Sequence, residues 1–305
     1  MLRKFAVAAA LVTAMACTLT TSPAFAQTPP VESPPVQTPP GQPPAESDST
    51  IVIFGQKDEE AVRAFVAEIG EGPKGVNLAR WGRKICVGVM NVTPDYAQKL
   101  IDHVSLMALA VGLEPGEPGC RANVMIIAHT DGNGLATRLV KDHPRMFQPW
   151  ETFDDNLGRD ALRRFQTSGA PVRWWHVSQP VLTDTGQPIM RGQSVQVRGS
   201  GRLRGNVLQA ISHAMIILDT TQIGTVSFNK LADYVGVVAL AQIDAEADVR
   251  EFPTIMNMFG SDTVDQTARL TDWDLDYLTA LYETPGDAAS SKTEASRIAR
   301  NMLKP

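Results

Sequence analysis

Residues 85–128 read ICVGVMNVTPDYAQKLIDHVSLMALAVGLEPGEPGCRANVMIIA, and this stretch decides the fold class. Ile85, Val87 and Val89 alternate as in a strand with one buried face. Thr93 can cap a helix whose first position is Pro94, where the missing N–H costs nothing. Leu100, Ile101, Val104, Met107, Ala108 and Val111 then recur at helical spacing, and Gly112 ends the run. Val124 to Ala128 is a short apolar segment of strand length.

Strand and helix alternate outward from this unit. Upstream, Ile51 to Phe54 reads as a short strand, and Val62, Phe65, Val66 and Ile69 predict a helix closed by Gly70. Downstream, Pro171 to Val177 reads as a strand carrying Trp174, Trp175 and His176; Ser194 to Val197 is a candidate pairing partner for a neighbour. Met215 to Leu218 is a further apolar strand, ending at Asp219. Ser227 can cap a helix running to about Ile243, with Leu231, Tyr234, Val235 and Val238 on its apolar face. The pattern predicts one α+β domain, a mixed sheet with packed helices, over residues 50–305.

Two segments precede it. Arg3 and Lys4, an apolar run from Phe5 to Ala16, and Ala24-Phe25-Ala26 before Gln27 have the order of a cleavable export signal over residues 1–26. The apolar run is short for a retained anchor, and Ala14-Met15-Ala16 before Cys17 is a poor lipidation site, so both alternatives are weaker. Residues 27–49 are Pro-rich with Gln, Ser and Thr and read as an extended linker. The mature protein is therefore expected to be periplasmic or secreted, with no transmembrane segment.

Removing Arg3 and Lys4 takes Lys+Arg from 28 to 26 against 33 Asp+Glu, so the net charge goes from −5 to −7. That balance argues against nucleic acid as a partner. The Arg198, Arg202 and Arg204 segment is the local exception, and a solvated hairpin or loop accounts for it. Export removes Cys17 and leaves Cys86 and Cys120, which in an oxidising compartment are most simply a disulfide. A metal or redox pair fits less well, because no Cys-x-x-Cys or close histidine accompanies them.

The tail combines Pro253-Thr254-Ile255-Met256-Asn257 with Leu270-Thr271-x-x-Asp274, Tyr277-Leu278 and Leu281-Tyr282. It resembles the C-terminal part of the metzincin zinc peptidases, in which a tight Met-bearing turn lies beneath the metal and a capped helix follows. The resemblance covers about residues 205–305 and implies a zincin-like scaffold. Against the metzincin pattern His-Glu-x-x-His-x-x-Gly-x-x-His, the histidine slots fall on Tyr234, Val238 and Asp244 and the glutamate slot on Val235. A catalytic zinc needs three protein ligands and an open position for water, and Asp244 alone cannot supply them. Val235 cannot take a proton from water. Residues 51–303 as a whole also resemble an uncharacterised family of exported bacterial proteins, on Gly119-Cys120-x-Ala122-Asn123 and Leu231-Ala232-Asp233-Tyr234.

Each motif has a plainer reading. The helix around Tyr234 can be core, Met256 can be packing, and Thr271 with Asp274 has the spacing of a local capping box. His103, His129, His143, His176 and His213 include no short-spaced ligand pair. His129-Thr130-Asp131 ends a strand and fits a turn capped by Asp131; strand alternation puts His176 on the face of Trp174, opposite Trp175. His129, Trp174 and His176 are the candidates for lining a groove. The sequence thus points to a non-catalytic binding or assembly protein of the cell envelope, with a protein or peptide as partner and neither cofactor nor metal. A hydrolase using distant residues such as His129, His176 and Asp244 is the alternative.

Overall fold

The computed structural model describes residues 57–73, 75–82, 84–148, 157–190, 192–194, 205–260 and 269–304. The export signal, the linker, the strand expected at Ile51–Phe54, nearly all of the Ser194–Val197 segment and its arginines lie outside these residues. In chain order the elements are α1 (Glu59–Ile69), β1 (Arg80–Trp81), β2 (Val87–Met90), α2 (Pro94–Ala110), β3 (Val124–His129), α3 (Gly132–Asp142) and α4 (Pro144–Phe147). They continue with α5 (Gly158–Thr167), β4 (Val172–Leu182), β5 (Val207–Asp219), α6 (Phe228–Leu240), a 3-10 turn (Ile255–Phe259), α7 (Asp272–Glu283) and α8 (Ser291–Met302).

The deciding stretch folds as a strand, a helix and a strand, with Thr93 at the N-cap position of α2 but making no side-chain capping hydrogen bond, and with Ile85 in an isolated bridge before β2. β2 and β3 pair in parallel from Val87↔Val124 to Met90↔Ile127, joined by α2, whose Leu100, Val104, Met107 and Ala108 are buried. Gly112, at φ 82°, ends α2 in a Schellman motif: Leu113 N–H donates to the Ala108 carbonyl and Gly112 N–H to the Leu109 carbonyl. β3 in turn pairs in parallel with the second half of β5, from Val124↔Ala214 to His129↔Asp219. β4 runs antiparallel along β5 from Val172↔Leu218 to Leu182↔Val207, with an irregularity at Val177/Ser178. β1 meets β5 in parallel at Ala210 and Ile211, beyond the end of β3.

The sheet is covered on both faces, so β3 and the second half of β5 run apolar in succession rather than alternating. Ile126, Ile216 and Val172 point to a core built with α1, α2, α6, α7 and α8. Ile127, Ile217 and Trp175 point to the smaller core under α3, α4 and α5. The result is one α+β unit with a mostly parallel five-stranded sheet. Among the described residues no helix is long and apolar enough to cross a membrane.

Helix α8 is polar in sequence, and a buried ion pair explains its place. Glu294 is 1 % exposed; its carboxylate accepts from Arg80 Nη1 at 2.7 Å and from the Leu78 N–H at 2.7 Å. Arg80 Nε donates to the Leu281 carbonyl, so α7, α8 and β1 are tied at one point.

Cys86 and Cys120 form a disulfide with Cα atoms 6.0 Å apart, tying the entry of β2 to the entry of β3. Asn123 reinforces it, since its Oδ1 accepts from the Cys86 N–H and its Nδ2 donates to the Lys84 carbonyl. Closing a loop with a sequence separation of 34 stabilises by about 3–4 kcal/mol on the chain-entropy model. The double variant Cys86→Ala/Cys120→Ala should still fold, held by Asn123, but melt about 6–16 °C lower. An unchanged melting temperature, or two alkylatable thiols in denatured, unreduced exported protein, contradicts this.

Candidate functional site

The helix read against the metzincin pattern is α6, which ends at Leu240, three residues short of the expected Ile243. Its residues from Ala232 to Leu240 are all buried, because α2 packs on one side and the sheet on the other. Gly236 shows how close α2 comes: a Cβ there would meet Met107 Sδ at 2.1 Å. Val235 and Val238 are each 0 % exposed and belong to the core. Tyr234 lies edge-on to Phe259 at 5.1 Å and to Trp174 at 6.1 Å between ring centroids. Burial pushes its phenol well above the usual tyrosine range.

The Met-bearing segment is the 3-10 turn. Thr254 caps it by accepting the Met256 N–H, and Asn257 Nδ2 donates to the Val249 and Phe252 carbonyls. Thr271 and Asp274 form the predicted capping box at the start of α7. Asp274 does more than cap. It also accepts from the Ile255 N–H and the Thr254 hydroxyl, so one buried carboxylate ties the turn to α7.

After α6 the chain pairs with the end of α1: Gly70 bridges Ile243, the Glu71 N–H donates to the Gln242 carbonyl, and the Asp244 N–H to the Ile69 carbonyl. Gln242 and Asp244 alternate onto one face of this bridge, which makes Glu71 and Asp244 diagonal neighbours. Trp174 Nε1 donates to the Ile243 carbonyl at 2.9 Å and so fastens β4 to the same segment.

A cavity of about 490 Å³ opens where β4, the 3-10 turn and this bridge meet, walled by Trp174, His176, Tyr234, Met256 and Phe259, with Glu71, Asp244, Glu246 and Arg164 also lining it. Consecutive residues from Pro171 to His176 line it. Strand side chains alternate between faces, so a cavity meeting all of them runs along the strand's edge. Among the described residues β4 pairs with β5 alone, apart from a single bridge at Val181.

Charge in the cavity is unusual. Burial, with repulsion from Asp244 and Glu246 partly offset by Arg164, pushes the Glu71 carboxyl up to about 7. Arg164 itself pairs with Glu246 at 3.0 Å. His176 is 3 % exposed, and burial holds its imidazole down to about 4, so it is neutral at pH 7. Its ring has a hydrogen bond to the backbone of Val238, and its Nε2 is buried without a hydrogen-bond partner.

Of the residues singled out in the sequence, Tyr234, Asp244, Met256, Trp174 and His176 thus share one cavity. Val235 and Val238 do not reach it. Neither does His129, which ends β3, accepts the Asp131 N–H on Nδ1 and lies beside the Asp131 cap of α3. The trio His129, His176 and Asp244 is not brought together, and no group of three or more His, Cys, Asp or Glu among the described residues could hold a metal ion. The residues at the metzincin ligand slots do not fit a catalytic zinc: a buried neutral phenol, an isopropyl group and one carboxylate. Glu71, Arg164 and Glu246 carried no sequence signal, since they come from separate elements and match no motif. No family model, curated protein or solved structure matches the chain.

Proposed function

We propose that this is an exported, periplasmic or secreted binding protein that receives an extended peptide segment, without cleaving it, along the open edge of β4 on a zincin-like scaffold. The observation that carries the reading is the cavity along residues 171–176, where a strand edge with no strand partner among the described residues meets aromatic and charged side chains. Main-chain hydrogen bonds to such an edge give affinity, and pockets for alternate side chains give specificity. The degenerate metzincin resemblance supports it, because Tyr234 and Phe259 meet edge to face where chemistry would need ligands and water.

Panning a displayed library of random dodecapeptides on the mature protein should enrich binders. Their synthetic versions should slow amide exchange across 172–178. Failure to enrich any peptide, or protection confined to other segments, contradicts the reading, as does one equivalent of zinc copurifying with native protein.

The hydrolase alternative has one observation in its favour, the Glu71 carboxyl at about 7 beside Asp244, a pairing suited to proton transfer near neutral pH. Cleavage of the selected peptides that disappears in Glu71→Gln would establish it in place of simple binding.

A further inference from the structure

We infer that the cavity selects a basic residue: the cationic head of a lysine or arginine in the bound strand is received by Glu71 and Asp244, with His176 Nε2 as a third acceptor. This rests on the peptide-groove reading above and adds the chemistry of what the groove prefers.

The donor and acceptor balance of the cavity supports it. Glu246 is engaged by Arg164, which leaves Glu71 and Asp244 as the acidic side chains of the cavity without a paired cation among the described residues. His176 lines the same cavity with a neutral imidazole, and its buried Nε2 has no hydrogen-bond partner; with the ring proton on Nδ1, Nε2 presents a lone pair. Two carboxyl groups and a ring nitrogen are three acceptors lining one cavity, whose own guanidinium groups are already engaged, Arg164 by Glu246 and Arg173 by Asp219 and Asn133. An ammonium brings three donors and no acceptor. Trp174 and Tyr234 supply aromatic wall for the methylene stem, as long cationic side chains favour. The mature chain, with 26 Lys+Arg against 33 Asp+Glu once Arg3 and Lys4 are removed, also attracts basic segments before contact.

The same groups set a pH dependence. A bound cation favours the ionised form of Glu71, whose carboxyl in the free protein sits at about 7 against Asp244, Glu246 and Arg164. His176, at about 4, stays neutral across this range. Affinity for a lysine peptide should therefore fall about tenfold from pH 8 to pH 6, as Glu71 takes up the proton that binding must expel.

The test uses mature protein and a dodecapeptide chosen by panning. Selected sequences should be enriched in Lys or Arg at one position, and replacing that residue by norleucine should weaken binding at least tenfold at pH 8. Only the lysine form should lose affinity at pH 6. Glu71→Gln, and separately Asp244→Asn, should keep the parent melting temperature while losing most of the preference for lysine over norleucine. Binders without basic enrichment, or equal affinity for the lysine and norleucine forms, would overturn the inference and leave the groove standing. Failure to select any peptide sinks both.

Discussion

Val238→Asp is expected to destabilise the protein by about 5 kcal/mol at pH 7, a fall in melting temperature of roughly 10–20 °C for a chain of this size. Val238 is 0 % exposed on α6, in the core that α2 and α6 close against the sheet. A carboxylate there has no solvent and finds an apolar cluster around it, so the new group would hold its proton well above the ordinary aspartate range. The sign follows. With a folded-state pKa raised above the unfolded value of about 3.9, the penalty grows as pH rises from 4 toward that raised value and is smallest in acid. The variant should consequently be closer to the parent at pH 4 than at pH 7, whereas Val238→Ala should show a smaller loss without that pH dependence. A melting temperature within 2 °C of the parent at pH 7 would mean that water or a cation reaches this position, and the reading of α6 as closed core would fall.

That buried environment was legible in part. The 3.6-residue spacing of Leu100, Val104, Met107 and Ala108 announces α2 because the proline at its first position, the stripe and the glycine stop agree. The strands extend beyond their apolar stretches, β4 to Leu182 and β5 back to Val207. Met215 to Leu218 is apolar on both faces and visible, but β5 begins at Val207, where Gln209, Ser212 and His213 interrupt the pattern and pairing with β4 decides the conformation. Helix α3 opens on Gly132-Asn133-Gly134, poor helix formers whose start is fixed by the Asp131 cap and by Asp219, which accepts the Gly132 N–H. Helix α8 escapes any hydrophobic reading because one of its inward residues is Glu294, made acceptable by Arg80. The site divides along the same line. Trp174, His176, Tyr234, Asp244 and Met256 carried local patterns, while Glu71 gains its altered carboxyl only from a tertiary bridge to Asp244.

Asp274→Ala should cost about 4 kcal/mol and lower the melting temperature by roughly 8–16 °C. The carboxylate is 1 % exposed and accepts four hydrogen bonds, from the Ile255 and Thr271 N–H groups and from the Thr254 and Thr271 hydroxyls. Alanine leaves both hydroxyls free to turn elsewhere, but the two backbone N–H groups stay where they are, each costing about 1–3 kcal/mol when buried without an acceptor. Burial raises the Asp274 carboxyl above its ordinary value even though these four donors pull it down, so its charge is tolerated because of them. Asp274→Asn separates the two effects. The amide oxygen can take the place of Oδ2, which accepts three of the four bonds, and the Thr254 hydroxyl can reverse to accept from the new NH₂. That variant should lose only about 1 kcal/mol. The two should differ in function as well, because the turn that Asp274 holds carries Met256 and Phe259 into the cavity wall. Asparagine should leave binding of a selected dodecapeptide intact, and alanine should weaken it at temperatures where the protein is still folded. Equal melting temperatures for the two variants would show that the anchor of the turn lies elsewhere, in Asn257 and its bonds to Val249 and Phe252.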